Sequence, residues 1–345
     1  MIANKTIALI GGRGFIGTHL SKKLAEAGND VYVIDPLLIN NFFTVLRDDL
    51  GPSPGVYARY LAEREDLLLG RVHSFHMDAR DYDNLCHVLA ALKPDIIIHM
   101  AAIAHIDRAD RDPKTAGAAQ LETLINALDI ATDLDVEHFV YFSSSTIYGD
   151  FVTDPIKEED CWLNAHKLSI YGANKLAGEI QVNGHHAAKG LPTTIIRPCA
   201  AYGPMCISGR VVQKFVEGAV YDGKFTIFGD GQEKEDFTHV GDICRGVEAV
   251  LSNREASSGD TFNIAAGSSR SLADLADVVR SCFEEPIEVA TAPKDNLKPS
   301  RGTMCVDKAR NLLDWEPKVT LETGIPEYVE WVKTMRAKQR ALDSS

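Results

Sequence analysis

No uninterrupted apolar run in this sequence approaches the ~18–20 residues that a bilayer span requires, so no membrane partner is expected. The opening MIANKTIALIGG lacks the basic n-region and long apolar core of a secretory signal, and a cytoplasmic location is expected. The seven cysteines, at 86, 161, 199, 206, 244, 282 and 305, are odd in number, scattered and without a CxxC pair. A disulfide framework is thereby disfavoured and no metal is expected; reduced thiols are the simpler reading. Basic charge is in short supply too, with 36 Lys and Arg against 49 Asp and Glu and a formal net charge of −13. Neutralising a phosphate backbone needs a basic face, so no nucleic-acid partner is expected. There is no internal repeat and no low-complexity tract. What remains is ordinary globular chemistry, 45% apolar and 25% charged, in 345 residues. At about 150 residues per domain that length allows two domains, or one large α/β unit with an added lobe.

Short β-branched runs alternate with helical patterns through the first half of the chain. Strands are predicted at Thr6–Ile10, Val31–Asp35, Val72–Asp78, Asp95–Met100, Phe139–Ser143 and Thr193–Arg197. Near-continuous apolar strands of this length suit a parallel sheet buried on both faces. Helices are predicted between them at Thr18–Ala27, Asp83–Leu92, Ala118–Asp133 and Tyr171–Lys189. This alternation predicts an α/β fold, a doubly wound parallel (Rossmann) sheet with a smaller C-terminal substrate-binding lobe. Pro36 to Gly70 is a long excursion with a charged helical stretch, and beyond Pro198 the alternation gives way to a loop, a helix from Arg210 and a short FTIF strand. Residues 1–197 are assigned to the cofactor-binding domain, with 236–267 returning to it. Residues 198–235 and 268–335 are assigned to the lobe, and 336–345 to a tail that frays.

Gly11-Gly12-Arg13-Gly14-Phe15-Ile16-Gly17 follows the first strand and opens the first helix. Glycines at 11, 14 and 17 permit a tight turn and close approach of backbone N–H groups to a pyrophosphate, at a helix end that carries partial positive charge. Gly11, Gly14, Phe15, Ile16 and Gly17 are the candidate contacts there. Asp35 ends the next strand 18 residues after Gly17, where an acid accepts hydrogen bonds from a ribose 2′-hydroxyl and repels a 2′-phosphate. NAD is therefore favoured over NADP. Arg13 is a counter-signal, because a cation inside the turn is placed to reach a 2′-phosphate. Asp78 and Ala79, after the third strand, are candidates for the adenine side; a helix N-cap is the alternative reading of Asp78.

Tyr171 and Lys175, four residues apart in a helical pattern, share one helix face. Taken alone they are equally a solvated pair. Their context is Phe142-Ser143-Ser144-Ser145-Thr146-Ile147-Tyr148-Gly149 at the end of the fifth strand, where hydroxyls project above the sheet. With these motifs the chain resembles an extended short-chain dehydrogenase/reductase of the nucleotide-sugar epimerase/dehydratase family. Further matches are His99-Met100-Ala101-Ala102, Arg197-Pro198, Tyr202-Gly203-Pro204, Ile227-Phe228-Gly229-Asp230-Gly231, Asp236-Phe237-Thr238 and Leu313-Asp314-Trp315-Glu316-Pro317. They run in order from the glycine turn to about Trp331.

The resemblance implies that Tyr171 is the general base, that Lys175 lowers the phenol pKa from its usual ~10 and holds the cofactor ribose, and that Ser144 bonds the substrate oxygen. It also places Ala101, Ala102, Ser143 and Pro198 against the cofactor. Family 4,6-dehydratases carry an Asp-Glu pair where this chain has Ser145 and Thr146, and related decarboxylases a Glu, so an epimerase acting at C4 through a transient ketone is the favoured reading. A dehydratase, decarboxylase, 4-keto reductase or non-catalytic NAD sensor is the alternative. Ala104 and His105, in a loop similar to that of dehydratases, are candidate substrate contacts with Ser145 and Thr146.

The lobe departs from its relatives. Glu235 stands where the family has an Arg that grips the nucleotide diphosphate, Ala200 replaces an Asn, and Gln120 replaces another. At ~4 Å and an effective dielectric of ~20 each charge pair is worth about 4 kcal/mol, so the reversal at Glu235 is not neutral if a diphosphate binds there. Arg210 and Lys214, one turn apart, and Arg301, after Lys298, are the candidate replacement clamp. The partner is thus expected to be a small-molecule nucleotide sugar, and the resemblance implies a homodimer built on the helices near 118–133 and 171–189.

Overall fold

The computed structural model describes residues 2–38, 54–104, 106–293 and 299–343. Seven strands build its main sheet: β1 (Thr6–Ile10), β2 (Asp30–Ile34), β3 (His73–Phe75), β4 (Ile96–His99), β5 (His138–Phe142), β6 (Thr193–Pro198) and β9 (Asp260–Ile264). They pair in parallel in the order β3-β2-β1-β4-β5-β6-β9. Every residue of β4 and β5 is buried, since helices cover both faces of a Rossmann-like sheet, and this double burial is why these strands read as unbroken apolar runs.

β9 is the strand that the apolar runs do not reveal. Its sequence DTFNI mixes Asp260, Thr261 and Asn263 with two apolar residues: it lies at the sheet edge beside β6, where Asp260 accepts from the Thr261 N–H and Asn263 donates to the Cys305 carbonyl. β3 is shorter than predicted, as its pairing with β2 stops at Phe75, whose carbonyl takes the Asp35 N–H at 3.1 Å. The first helix begins earlier, at Phe15, because Gly14 serves as its N-cap. The predicted Ala118–Asp133 helix opens with a π turn, Ala118–Glu122, before the α-helix Thr123–Asp133.

Strand order reverses at β1, which has β2 on one side and β4 on the other. A crevice therefore opens above the C-terminal ends of β1 and β4, the usual ligand position in such sheets. The glycine turn after β1, Met100–Ala102 after β4 and Ser143–Tyr148 after β5 all face that edge.

A second core is formed by Phe215, Val216, Phe225, Phe237, Leu275, Val279, Tyr328 and Val329. It is framed by helices Val211–Glu217, Leu272–Ser281 and Leu321–Asp343, and by two small sheets: β7 (Lys224–Phe228) with β11 (Glu288–Ala292), and β8 (Lys234–Glu235) with β10 (Arg270–Ser271). Helix Pro54–Leu68, from the long excursion, packs on this unit, with the Tyr60 ring 4.5 Å from Trp331 and Val56, Tyr57 and Leu61 around Ile207 and Met335.

The C-terminal tail does not fray at residue 336 as expected. The Leu321–Asp343 helix continues through it, because Arg336 donates to the Val220 and Tyr221 carbonyls and Lys338 to Glu63. Among the described residues no helix is long and apolar enough to cross a membrane, and no cluster of three His, Cys, Asp or Glu side chains is arranged to hold a metal ion.

Candidate active site

The glycine turn is shaped by close backbone packing. Gly11 has φ +82°, and a Cβ there would lie 2.5 Å from the Ala101 nitrogen; a Cβ on Gly17 would lie 2.5 Å from the Gly12 carbonyl oxygen. Gly14 differs: its φ is −67°, and a Cβ would meet nothing nearer than the Gly11 oxygen at 3.6 Å. The space above Gly14 is thus left open rather than filled by protein. No side chain caps the helix that Gly14 begins, so the N–H groups of Phe15, Ile16 and Gly17 face the same opening unpaired by a cap. An open cradle with uncapped donors fits the pyrophosphate of a dinucleotide.

Asp35 sits just past β2. Its carboxylate accepts from the Arg13 N–H at 3.1 Å and the Leu37 N–H at 2.9 Å, while burial pushes its pKa up. The Arg13 guanidinium forms an ion pair with Glu65 on the Pro54–Leu68 helix, and its charge also reaches Asp35. Asp78 accepts two-pronged hydrogen bonds from the Arg80 guanidinium and one from its N–H at 3.0 Å, and these hydrogen bonds hold its carboxyl below the usual range. It is not the helix cap of the alternative reading, since Asp81 caps Tyr82–Leu92 by accepting from the Asn84 N–H at 3.2 Å. Ala79 is buried, and Asn126 holds its carbonyl at 3.0 Å.

Ser144, Tyr171 and Lys175 come together between β5 and the Ile170–Lys189 helix. Ser169 caps that helix, accepting from the Gly172 N–H at 3.2 Å. Close packing sets its approach to the hydroxyl turn, since a Cβ on Gly172 would lie 2.9 Å from the Thr146 oxygen. Ser144 caps the short 3₁₀ turn Ser145–Tyr148 by accepting from the Thr146 N–H at 3.2 Å. The Tyr171 phenol is buried against Ala102, Ile103, Ala109 and Ala116. Burial raises its pKa, while the charge of Arg210 and a hydrogen bond with Ser144 pull it down. Lys175 is 2% exposed; its Nζ donates to the Phe142 carbonyl at 2.6 Å and lies 5.0 Å from the Tyr141 ring centre. Burial lowers its pKa to about 7, opposed by Glu179 one helical turn on. A lysine so poised changes charge readily when a neighbour becomes anionic.

The remaining sequence candidates divide. Ser143 is buried with its hydroxyl unpartnered, and Ala101 and Pro198 end half-buried at the crevice. Ser145 and Thr146 are buried; the Ser145 hydroxyl bonds the Cys199 thiol and the Thr146 hydroxyl has no partner. Arg210 precedes the Val211–Glu217 helix and its charge reaches Tyr171. Arg301 donates to the carbonyls of Ser145 at 3.1 Å and Gly149 at 2.9 Å, gripping the hydroxyl turn from the outside. Lys214 is exposed one turn beyond Arg210, and Ala104 is exposed. His105 and Lys298 lie outside the described residues. Burial raises the pKa of the Cys199 thiol beside Ser145, and the charge of Glu235, at the end of β8, adds to it, so that negative charge is felt at the site.

Other residues also shape the site: Gln120, a departure from the family pattern, and Arg64 and His19, which carried no clear sequence signal. Gln120, in the π turn, accepts from Asn174 on the Tyr171 helix at 3.0 Å, so the irregular turn is where that helix is gripped. Arg64 is buried and donates through Nε and Nη2 to the Met205 carbonyl at 3.2 and 2.6 Å, holding the loop that ends at Arg210. His19 meets the Pro204 carbonyl in the same loop at 3.0 Å. A charged segment ahead of the third strand was the only hint of Arg64.

The chain is similar to known proteins in sequence and fold. Residues 7–265 match the model of the NAD dependent epimerase/dehydratase family. UDP-glucuronic acid decarboxylase 1 of Arabidopsis thaliana is 28% identical over 331 residues, covering 94% of this chain and 68% of that protein. An epimerase structure from Methanothermobacter thermautotrophicus superimposes with a TM-score of 0.83 at 25% identity, over 98% of this chain and 95% of the other. UDP-glucuronic acid 4-epimerase from Bacillus cereus, solved with UDP-glucuronic acid and NAD, has the same fold, with a TM-score of 0.81 at 24% identity over 95% and 99% of the two chains.

Proposed function

The chain belongs to the NAD-dependent epimerase/dehydratase family, and from that membership we propose that it is a nucleotide-sugar epimerase that inverts C4 through a transient 4-keto sugar. NAD, when bound, supplies the acceptor and later the donor of the C4 hydride. The protein's own groups handle the proton. Tyr171 takes it from the C4 hydroxyl and returns it once the ketone has presented its other face. Ser144, in hydrogen-bond contact with that phenol, steadies the same substrate oxygen. Burial alone keeps the phenol protonated, so the base depends on positive charge nearby: Arg210, and Lys175 once an anion draws its proton back.

The observation that carries epimerisation over elimination is the pair beside Ser144. Ser145 and Thr146 are buried hydroxyls, and neither can act as the acid that removal of water or of a carboxylate would enlist. Decarboxylases stand among the relatives, so the product decides between the two reactions. Arg210 and Arg301 are the proposed diphosphate clamp in place of the Arg lost at Glu235, with Lys214 at the rim. The cofactor contacts are those of the glycine turn, Asp35, Asp78, Ala79, Ala101, Ala102, Ser143 and Pro198. Ile125 and Ile180, exposed on helices Thr123–Asp133 and Ile170–Lys189, support a homodimer through those helices.

The test is to incubate the protein with UDP-, GDP-, CDP- and dTDP-sugars and identify products by NMR. Interconversion of C4 epimers, lost in Tyr171→Phe, is expected. Release of carbon dioxide or formation of a 4-keto-6-deoxy sugar would replace this reading, and full turnover by Tyr171→Phe would remove the base.

A further inference from the structure

Arg13 is a cation inside the glycine turn, where it opposes the preference for NAD that Asp35 expresses. The fold resolves this conflict from a distance. The Pro54–Leu68 helix, inserted between β2 and β3, lays Glu65 onto the Arg13 guanidinium as an ion pair. The Arg13 side chain is left 14% exposed, while its own N–H donates to the Asp35 carboxylate at 3.1 Å. Arg64, the neighbouring cation on the same helix and within electrostatic range of Asp35, is committed to the Met205 carbonyl. The Arg13 charge still reaches Asp35 while paired with Glu65, as does that of His76, which is exposed.

We propose that Glu65 is a determinant of cofactor choice: by capturing the Arg13 guanidinium it withdraws from the turn the cation that would otherwise hold a 2′-phosphate. Asp35 then acts on the ribose end while the Arg13 guanidinium is engaged by Glu65. The physical basis is competition for one guanidinium. A carboxylate and a phosphate both suit its planar fork, and a carboxylate already seated must be displaced before the phosphate gains anything. Glu65 also adds a negative charge close to the place where a 2′-phosphate would bring two more. The effect should be one-sided, because NAD has no group at that position for Arg13 to hold. The inference concerns cofactor binding alone and does not depend on which sugar reaction follows.

The experiment is titration calorimetry of nucleotide-stripped protein with NAD and NADP at pH 8. Wild type is expected to prefer NAD. Glu65→Gln is expected to raise NADP affinity about tenfold or more, while NAD affinity stays within about threefold. Adding Arg13→Ala to Glu65→Gln is expected to erase the gain. A Glu65→Gln protein with unchanged NADP affinity overturns the proposal, as does a gain that survives the loss of Arg13. A parallel loss of both nucleotides in Glu65→Gln and Glu65→Ala would also overturn it, assigning Glu65 to holding the helix in place. Wild type that prefers NADP would instead refute the NAD reading itself, whatever the Glu65 variants do.

Discussion

Glu179 and Arg197 form a two-pronged ion pair in the core, at 2.9 Å from Nε and 2.7 Å from Nη2, with both side chains 4% exposed. Arg197 spends its third nitrogen on the Tyr148 hydroxyl at 2.8 Å and the Glu158 carbonyl at 2.7 Å. Tyr148 in turn donates to Asn263 of β9 at 2.7 Å. The pair therefore joins the helix that carries Tyr171 and Lys175 to β6, to the end of the Ser144–Tyr148 turn and to the seventh strand.

Charges buried this deeply hold together only as a set. Glu179→Gln or Arg197→Met should each lower unfolding stability by about 3–5 kcal/mol, because each leaves the other partner charged and unpaired. The double variant should cost clearly less than the sum. Urea unfolding of the four proteins measures this, and additive losses would show that the two side chains do not act as a unit.

The distribution of buried charge also explains what was legible in advance. β1, β4 and β5 stand out because all but one residue of each is apolar, and the glycine turn, Asp35, Tyr171 and Lys175 stand out because their spacing is local. β9 hides because an edge strand that feeds Asn263 into a buried network is half polar. Arg197 is visible as a motif position, but its partners Glu179, Tyr148 and Glu158 come from three separate segments. The Arg13–Glu65 pair has the same character: the two residues share no periodicity, and only the docking of Pro54–Leu68 brings them together. The order of the tail is hidden for a related reason, since the carbonyls that hold Arg336 belong to a turn more than a hundred residues away in sequence.

Lys175 should trade stability for activity. Its ammonium is buried with a single carbonyl acceptor, and burial lowers its pKa to about 7. In the unfolded chain the group stays protonated up to its ordinary 10.5, so the penalty is fully present below pH 7 and fades as pH rises from about 7 to 10.5. Lys175→Met should therefore be more stable than wild type at pH 6 by about 1–3 kcal/mol, and the advantage should shrink at pH 9. The same variant should lose turnover. Thermal melts of the nucleotide-free proteins at the two pH values check the first expectation, and a destabilised Lys175→Met at pH 6 would contradict it.

Ala200 holds a left-handed backbone, with φ +32°, in the loop that leaves β6. Its carbonyl takes the Thr238 N–H at 3.3 Å, which pins the conformation. A residue with a Cβ is strained there, and glycine is not. Ala200→Gly should raise stability by about 1 kcal/mol, and Ala200→Asn, which tolerates this region better than alanine, by somewhat less. A loss of stability in both would mean that the Cβ packing outweighs the strain.

Glu217 gives the protein a pH dependence opposite to that of a paired surface carboxylate. It is buried where helix Pro54–Leu68 meets the second core, accepting from Tyr57 at 2.8 Å and Gln213 at 3.0 Å, with no cation among these partners. Burial pushes its carboxyl up to about 7, against the pull of these hydrogen bonds. The folded state thus holds the proton more tightly than the unfolded chain, whose group titrates near 4.5. Stability should fall as pH rises between about 4.5 and 7, and the penalty should be constant above that. Glu217→Gln cannot ionise, so relative to wild type it should gain about 2 kcal/mol between pH 5 and pH 8 in urea unfolding. Asp236, also raised to about 7 by burial, is common to both proteins and cancels in the difference. The consequence reaches the site, because Gln213 also accepts the Gly209 N–H at 2.8 Å, next to Arg210. A variant whose stability difference from wild type is the same at both pH values would show that Glu217 is already ionised, or already neutral, across the whole range.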